Sequence, residues 1–391
     1  MHDKQKRKIK LVFMIPSNLR EWGGMEHTLR EYVSNRSEKV DIVIVQPADA
    51  ERKRVSEDFI KKNFNHVKII SIRSPFSKFN FMKKTRLGFL FVEVIIMPII
   101  GFLNKYLLNR NFFPEIGEPD IVYLFSKSDA SVYFRSMKSV LLVGSDHAWS
   151  LRRTDLFKAI QIKLVQNHLI LRNVDVFHLF PQSVNPSGYS RSFVLPNGVD
   201  TRKFTHKARK SETIRLLFFA RLEECKGVPL VLEIWKQIRL RSEVELYIAG
   251  SGRMESEIRA IKDRNFKYFG FIGEEELPGL ISQCDIFIYP STCDSYSLAT
   301  LQALSSGLYV ITNEMIASSF DKFVDIGQLK IVDNKPSSYI EAIIHYLKNE
   351  TKFDLSMSRS ICVNEYDWKI ISEELYNTLL FEYYRKTGIY L

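Results

Sequence analysis

Asp294 and Gln302 stand in a segment whose pattern favours a ligand site. The apolar run 286–289 is followed by a polar loop that holds Asp294, and then by leucines at helical spacing. This pattern predicts a strand, a loop and a helix that begins near Ser297. The first amides of that helix, including the amide of Leu298, suit a phosphate, whereas Asp294 and Gln302 suit hydroxyl groups. An ordinary βαβ loop without a ligand is the alternative.

Arg221 and Lys226 follow an earlier apolar run, 214–219, and precede a predicted helix that begins near Val228. Because parallel strands present their carboxyl ends at one sheet edge, we expect both cations at that edge. The arginine fork and the lysine point charge suit a diphosphate, and simple solvation at the surface is the alternative. The turn at Gly250, after the next predicted strand, is expected at the same edge.

The first half of the chain offers Gly23, Gly24 and His147 as further candidates. The two glycines follow the first apolar run and open an amphipathic segment, where a backbone without side chains allows a ligand to approach a helix N-terminus. The dinucleotide motif G-x-G-x-x-G is absent, and a surface turn is the alternative. His147 follows the apolar run 140–143 and suits a hydroxyl, a phosphate or proton relay, unless it is merely a polar surface residue.

Apolar runs alternate with helix-length segments along the chain, which predicts parallel sheets. In the first half the predicted strands are 9–15, 40–45, 67–72, 121–125, 140–143 and 174–180. In the second half they are 214–219, 244–249, 268–271, 286–289, 309–311 and 330–332. The polar passage 181–215 between the two series is interpreted as a domain linker. The prediction is an α/β protein with two doubly wound domains.

The composition is that of a globular protein large enough for two domains, with 391 residues of which 45% are hydrophobic. The net charge of +11 favours an anionic partner, which is a nucleotide, an acidic membrane surface or nucleic acid. The four cysteines form no C-x-x-C pair, so neither a metal site nor a disulfide framework is expected, and a reducing cytosol fits. The apolar run after the basic N-terminus is too short for a signal peptide.

Residues 87–108 are the most apolar segment, but glycines, a glutamate and a proline interrupt it. Its uninterrupted stretches fall short of the ~20 residues that span a bilayer. Phenylalanines and basic residues interleave just before it, in the composition of an interfacial membrane contact. One interpretation is that residues 76–108 contact an anionic membrane surface, and the other is a buried helix beside a charged loop.

Several segments, taken in their order along the chain, carry a resemblance to a known family. They are Gly23-Gly24-x-Glu26, Leu195-Pro-Asn-Gly-Val-Asp200, Phe219-Ala-Arg221-Leu with Lys226-Gly227, Ile248-Ala-Gly-Ser-Gly252, Cys284 to Ser291, and Asp294-x7-Gln302 with Gly307. Together they resemble glycosyltransferase family 4 over nearly the whole chain. The resemblance implies the GT-B fold, in which two Rossmann-like domains face each other across a cleft. The expected domains are 1–197 and 198–366, with a C-terminal helix, 367–391, that returns to the first.

The resemblance also implies transfer of a sugar from a nucleotide-diphosphate sugar, with retention of configuration and without a metal or other cofactor. The absence of a D-x-D motif agrees with metal independence. Position by position, Arg221 and Lys226 would hold the donor diphosphate while Gly23 and Gly24 close over it. His147 matches the family's histidine near the donor sugar. The expected acceptor is a glycan or a lipid-linked glycan, and the expected location is the cytoplasm or its membrane face.

The chain departs from the family at its paired glutamates, E-x7-E, which here are Asp294 and Gln302. The resemblance places Asp294 on the sugar side as a catalytic residue and Gln302 on the ribose side, with Gly250, Ser297 and Leu298 beside the donor. One alternative is a nucleotide-sugar-binding protein of the same fold without transfer activity. A nucleic-acid-binding protein, which only the positive charge suggests, is the other.

Overall fold

The structure is a computed structural model. It describes residues 7–15, 17–20, 23–47, 56–72, 117–125, 139–145, 174–181, 191–206, 213–294, 296–348 and 353–388. The chain divides into two compact units. The first holds residues 1–179, 183–195 and 372–391, and the second holds residues 180–182 and 196–371. His147 and the segment 76–108 lie outside the described residues.

The first unit is built on a parallel sheet of seven strands with the spatial order β3-β2-β1-β4-β5-β6-β7. The strands are β1 (Ile9–Met14), β2 (Val40–Pro47), β3 (Lys68–Ile72), β4 (Ile121–Leu124), β5 (Leu141–Ser145), β6 (Val176–Leu179) and β7 (Ser192–Val194), and the helices are α1 (Gly24–Ser34) and α2 (Glu57–Asn63). Strands β4, β5 and β6 are buried throughout, as expected of a parallel sheet covered on both faces. The strand order reverses between β1 and β4, which makes this the switch point of the sheet.

The second unit is built on a parallel sheet of six strands with the order β10-β9-β8-β11-β12-β13. The strands are β8 (Ile214–Phe219), β9 (Val244–Ala249), β10 (Phe266–Tyr268), β11 (Ile286–Tyr289), β12 (Tyr309–Thr312) and β13 (Leu329–Ile331). Its helices are α3 (Val228–Ile238), α4 (Glu255–Arg259), α5 (Leu277–Ile281), α6 (Leu298–Ser305), α7 (Glu314–Ala317), α8 (Asp321–Asp325), α9 (Pro336–Leu347) and α10 (Leu355–Ile361). The switch point of this sheet lies between β8 and β11.

A last helix, α11 (Trp368–Thr387), ends the described chain. The division into units falls within it, at Ser372, and the return of the chain from residue 367 stays a prediction. Trp368 belongs to the second unit, where its backbone N–H donates to the carbonyl of Val199 at 3.2 Å and its buried ring occupies the place of a side chain at Gly198. From Ser372 onward the helix is part of the first unit, where the Tyr376 hydroxyl donates to the carbonyl of Tyr32 at 2.6 Å.

The two doubly wound parallel sheets confirm the predicted fold class, and two predictions at the level of single strands are wrong. Strand β7 was interpreted as part of a linker, because it is only three residues long and is mostly exposed. Strand β10 was predicted at 268–271 but ends at Tyr268, since Gly270 adopts a φ of 68° that turns the chain out of the sheet. Among the described residues, no helix has the length and apolar character needed to cross a membrane.

Candidate functional site

Two loops leave the second sheet at its switch point. We call residues 220–227, which follow β8, the lysine loop, and residues 290–297, which follow β11, the aspartate loop. Strands β8 and β11 are parallel neighbours, with Leu216 opposite Ile286 and Leu217 opposite Phe287. Both loops therefore start from the same edge of the sheet, as the sequence predicted for Arg221, Lys226 and Asp294. Ligands of open parallel sheets bind at such an edge.

Lys226 and Asp294 form an ion pair that joins the two loops. The ammonium of Lys226 donates to Oδ1 of Asp294, and the Tyr289 hydroxyl donates to Oδ2 at 2.6 Å. The side chains of the pair are only 10% and 15% exposed, so both charges are largely removed from water. Burial, reinforced by the nearby charge of Asp294, raises the pKa of Tyr289 well above its ordinary value. The tyrosine thus remains a hydrogen-bond donor to the carboxylate at neutral pH.

Glycine is required at position 227, where the lysine loop rests on the aspartate loop. Gly227 has a φ of 85°, and a Cβ there would lie 2.6 Å from both Cγ and the carbonyl oxygen of Pro290. The Thr292 N–H also donates to the carbonyl of Cys225 at 2.9 Å. This close packing holds Lys226 beside Asp294.

Gly250, predicted to contact the donor, supports the lysine loop from the other side. It has a φ of 134°, and an added Cβ would collide with the carbonyl oxygen of Ala220. The Leu222 N–H donates to the carbonyl of Ser251 at 3.0 Å. Packing against the lysine loop therefore accounts for glycine at this position. A direct contact between Gly250 and a donor stays a prediction.

The aspartate loop leads into α6, whose N-terminus offers hydrogen-bond donors. The buried Ser297 caps the helix, and its hydroxyl oxygen accepts from the Thr300 N–H at 3.1 Å. By helix geometry the amides of Leu298 and Ala299 have no carbonyl partner within the helix. Together with the helix dipole, these amides suit an anion.

Gln302 lies one turn into α6 and is 9% exposed. A helical side chain leans toward the N-terminus of its helix, which brings this amide toward the aspartate loop. Within the part of the chain that the structure describes, the Gln302 side chain makes no hydrogen bond. Buried polar groups are usually satisfied, so this amide has hydrogen-bonding capacity for a ligand.

Arg221 differs from Lys226 in its surroundings. Its side chain is exposed and forms no ion pair with any residue in the described ranges. The nearby carboxylate of Glu223 lies 3.9 Å from Arg253 instead. Of these two cations, Lys226 is paired and largely buried, whereas Arg221 is accessible.

In the first unit, Gly23 and Gly24 stand at the N-terminus of α1, the first helix after β1, where the sequence placed them. Gly23 is extended, with a φ of −165°, and an added Cβ would collide with the Glu26 carboxylate. Glu26 is buried in the first turn of α1 and accepts a hydrogen bond from the Ser17 hydroxyl. A carboxylate of the protein itself therefore lies at the positive end of this helix.

Sequence reasoning missed one residue of the site in the second unit, Tyr289, and two cysteines that lie beside the site. Tyr289 was taken only as the end of a buried strand, although its hydroxyl holds Asp294. Cys225 and Cys293 were considered only as members of motifs that the sequence lacks, yet their Sγ atoms lie 2.6 Å apart. Each cysteine directly precedes a member of the ion pair. A prediction that Lys226 pairs with Asp294 would therefore also have predicted that the two cysteines lie close together.

The candidate site lies in the part of the chain that matches a known protein family. Residues 213–349 match the family model described as "Glycosyl transferases group 1". The GDP-mannose:cellobiosyl-diphosphopolyprenol alpha-mannosyltransferase of Xanthomonas oryzae pv. oryzae is 27% identical over 206 residues, which are 49% of this chain and 52% of that protein. The amylovoran biosynthesis glycosyltransferase AmsK of Erwinia amylovora is 29% identical over 131 residues, 30% of this chain and 32% of that protein. The matched stretches thus span about half or less of these relatives.

Solved structures match almost the whole chain. HepE from Anabaena, solved in complex with UDP and glucose, has a TM-score of 0.67 at 14% identity. The match covers 95% of this chain and 99% of the HepE chain. Sucrose-phosphate synthase from Thermosynechococcus elongatus has a TM-score of 0.72 at 14% identity. The match covers 96% of this chain and 100% of the synthase chain. At this identity the likeness establishes the fold. The chain therefore has the GT-B fold, and residues 213–349 of its second unit match the model of the family described as "Glycosyl transferases group 1".

Proposed function

We propose that this protein is a glycosyltransferase that moves a sugar from a nucleoside diphosphate sugar to a glycan acceptor. The observation that carries the proposal is the paired Lys226 and Asp294 at the switch point, beside the first amides of α6 and the amide of Gln302, whose side chain makes no hydrogen bond to any residue that the structure describes. Cations and helix amides suit a diphosphate, and a carboxylate and an amide suit sugar hydroxyls. These groups occur together within the part of the second unit that matches the family.

In this proposal the diphosphate binds between Arg221 and the N-terminus of α6. Arg221 is accessible and supplies the first charge that attracts the anion. The ammonium of Lys226 has three donors, and a small shift of the lysine loop away from the aspartate loop would let it share them between phosphate and Asp294. As the bond to the sugar breaks, negative charge grows on the departing diphosphate, and these fixed cations stabilise it.

Asp294 is proposed to act on the sugar itself. Its Oδ2 accepts from Tyr289 and its Oδ1 from Lys226, which fixes the orientation of the carboxylate. A carboxylate oxygen has room for a second donor, and a sugar hydroxyl would supply it. Gln302, deeper along α6, is proposed to accept from a ribose hydroxyl through its amide oxygen. Metal independence and retention of configuration are proposed from the family resemblance. The absence of a D-x-D motif supports the metal independence.

The acceptor is proposed to be a lipid-linked glycan. The support comes from the Xanthomonas relative, whose name specifies a polyprenol diphosphate carrying cellobiose. Contact with an anionic membrane surface through residues 76–108 is part of the same proposal, and the basic and aromatic composition of that segment supports it.

A second candidate is a nucleotide-sugar-binding protein without transfer activity. Two observations favour it: the Asp294 charge is neutralised by Lys226, and position 302 carries an uncharged amide. Release of nucleoside diphosphate with a lipid-linked acceptor, but not without it, identifies a transferase. Tight binding with no release under either condition identifies the binding protein.

The first test is thermal stabilisation by UDP-glucose, UDP-N-acetylglucosamine and GDP-mannose. A ligand at 100 times its dissociation constant stabilises the folded state by about 2.7 kcal/mol, which raises the melting temperature measurably. Arg241→Ala is the matched control for Arg221→Ala, because Arg241 is also an exposed arginine of the second unit but pairs with Glu243. We expect stabilisation of the control and loss of stabilisation in Arg221→Ala. If none of the three nucleotide sugars stabilises the wild type, the proposed function is wrong for these donors.

A further inference from the structure

The thiols of Cys225 and Cys293 lie next to the ion pair, and the proposed function gives them no part in sugar transfer. Their Sγ atoms are 2.6 Å apart, and both cysteines are free. Cys225 belongs to the lysine loop and Cys293 to the aspartate loop, and they are 68 positions apart in the sequence. The hydrogen bond from the Thr292 N–H to the Cys225 carbonyl holds the two backbones together at this point. The fold thus brings two thiols into contact at the edge of the candidate site.

We propose that Cys225 and Cys293 form an oxidisable dithiol, and that their disulfide keeps Lys226 paired with Asp294 and so weakens binding of a nucleoside diphosphate. The second part rests on the proposed function. The disulfide would connect the residues that directly precede the two members of the ion pair. It would limit the separation of the lysine and aspartate loops that a phosphate needs in order to share the Lys226 ammonium.

The two thiols differ in their exposure to solvent, so we expect Cys225 to react before Cys293. Cys225 is exposed, so its thiolate can attack a low-molecular-weight disulfide such as oxidised glutathione. This step joins Cys225 to one glutathione and releases the other as a thiolate. Cys293 is half-buried, and burial raises its pKa to about 11, so it is a poor first nucleophile at neutral pH.

In the second step the sulfur of Cys293 loses its proton to solvent and attacks the sulfur of Cys225. The Cys225–Cys293 bond forms and the second glutathione leaves. Overall the two protein thiols give up two electrons and two protons, and oxidised glutathione becomes two reduced glutathiones. Contact between the sulfurs compensates for the high pKa of Cys293, because a reaction between groups held in place is far faster than one between free molecules.

The experiment treats the full-length wild type with oxidised glutathione and maps its thiols by mass spectrometry. We expect one internal disulfide, between Cys225 and Cys293, while the buried Cys284 and Cys362 stay reduced. In Cys293→Ser the second step cannot take place, so glutathione should accumulate on Cys225. In Cys225→Ser the half-buried Cys293 should stay unmodified. If the wild type instead accumulates glutathione on Cys225, or neither thiol reacts, the dithiol proposal is overturned.

A titration with UDP then measures the effect on the site. We expect the oxidised wild type to bind UDP about 10-fold more weakly than the reduced wild type, the lower bound for losing a hydrogen bond to a charged group. Treated Cys225→Ser should bind UDP as the reduced wild type does. If the disulfide forms and UDP affinity does not change, the effect on the site is refuted and the proposed function stands. If the disulfide forms but the reduced protein binds none of UDP and the nucleotide sugars, the proposed function fails and the dithiol stands.

Discussion

The ammonium of Lys226 donates to the carboxylate of Asp294 across the switch point of the second sheet, and each side chain is at least 85% buried. The pair couples a residue that we assign to the diphosphate with one that we assign to the sugar. A buried pair is costly to break on one side only, because the remaining charge keeps its desolvation cost without a partner. Substitutions at the two positions should therefore affect both stability and ligand binding.

Lys226→Ala and Arg221→Ala should each weaken UDP binding by about 1.5–3 kcal/mol, the range for hydrogen bonds to charged groups. Their effects on stability should differ. Arg221 is exposed, so its loss should change the free energy of unfolding by less than about 0.5 kcal/mol, whereas loss of Lys226 leaves the Asp294 carboxylate largely buried and unpaired. Calorimetric titration with UDP and urea unfolding of both variants measure these quantities. Unchanged UDP affinity in both variants would remove these cations from the site.

Asp294→Asn should lower the turnover number more than it lowers affinity for UDP. The amide oxygen can still accept from Tyr289, but the negative charge beside the reacting sugar is lost. Removal of one electrostatic contact to a transition state typically costs about 100-fold or more in turnover. Because Lys226 also loses its anionic partner, UDP should bind at least as tightly as to the wild type. A variant with wild-type turnover and weakened UDP binding would show that Asp294 serves the nucleotide instead.

Gln302→Ala should weaken UDP binding by about 0.5–1.5 kcal/mol, the value of one neutral hydrogen bond. Gln302→Glu is the sharper change, since a carboxylate can accept from both ribose hydroxyls and the amide accepts only through its oxygen. We expect UDP to bind Gln302→Glu more tightly than Gln302→Ala, and titrations of uridine and UDP would locate the effect in the nucleoside. The assignment to ribose fails if neither variant changes UDP affinity.

The positions of Lys226 and Asp294 at the edge of the second sheet followed from the sequence, and the contact between them did not. Apolar runs located β8 and β11, and the rule that parallel strands present their carboxyl ends at one edge brought Lys226 and Asp294 together. The contact between them depends on how two loops pack. That packing is set by Gly227 against Pro290, residues distant in sequence whose contact no periodic pattern reports.

The errors in the strands have a related origin. Strand β7 has three residues and pairs only with β6, so its stability comes from a neighbour rather than from its own apolar content. Strand β10 ends two residues before Gly270. The apolar residues after Tyr268 extend the strand-like sequence pattern, although the backbone has already turned out of the sheet. Short edge strands give too few residues for an alternation to be recognised.

Gly227→Ala should lower the free energy of unfolding by about 1–3 kcal/mol and also weaken UDP binding. Its φ of 85° disfavours any side chain, and the new methyl group would press on Pro290 and move Lys226. Gly279→Ala is the matched control, because Gly279 lies in α5 and an added Cβ there meets nothing within 4 Å. Alanine favours a helix, so the control should be neutral or stabilising. Equal stability of the two variants in urea titrations would contradict the packing argument for the two loops.

His178 should make the first unit less stable in mild acid. Its Nε2–H donates to the carbonyl of Leu195 at 2.8 Å, so its Nδ1 must accept from the Tyr123 hydroxyl, and the ring is neutral and fully buried. Burial lowers its pKa to about 4 from an ordinary value of 6.5. Between these values the unfolded chain binds a proton that the folded protein excludes, so stability is present above pH 6.5 and is lost as the pH falls toward 4.

From pH 7.5 to 5.0 this single histidine should remove about 2 kcal/mol from the free energy of unfolding, at 1.36 kcal/mol per pH unit below 6.5. Urea titrations of the full chain at the two pH values measure the loss. His178→Gln keeps a donor and an acceptor but cannot titrate, so its pH-dependent loss should be smaller than that of the wild type by about this amount. His345→Gln, which replaces an exposed histidine of α9, should retain the loss seen in the wild type. If wild type and His178→Gln lose equal stability over this range, the acid sensitivity does not originate at His178.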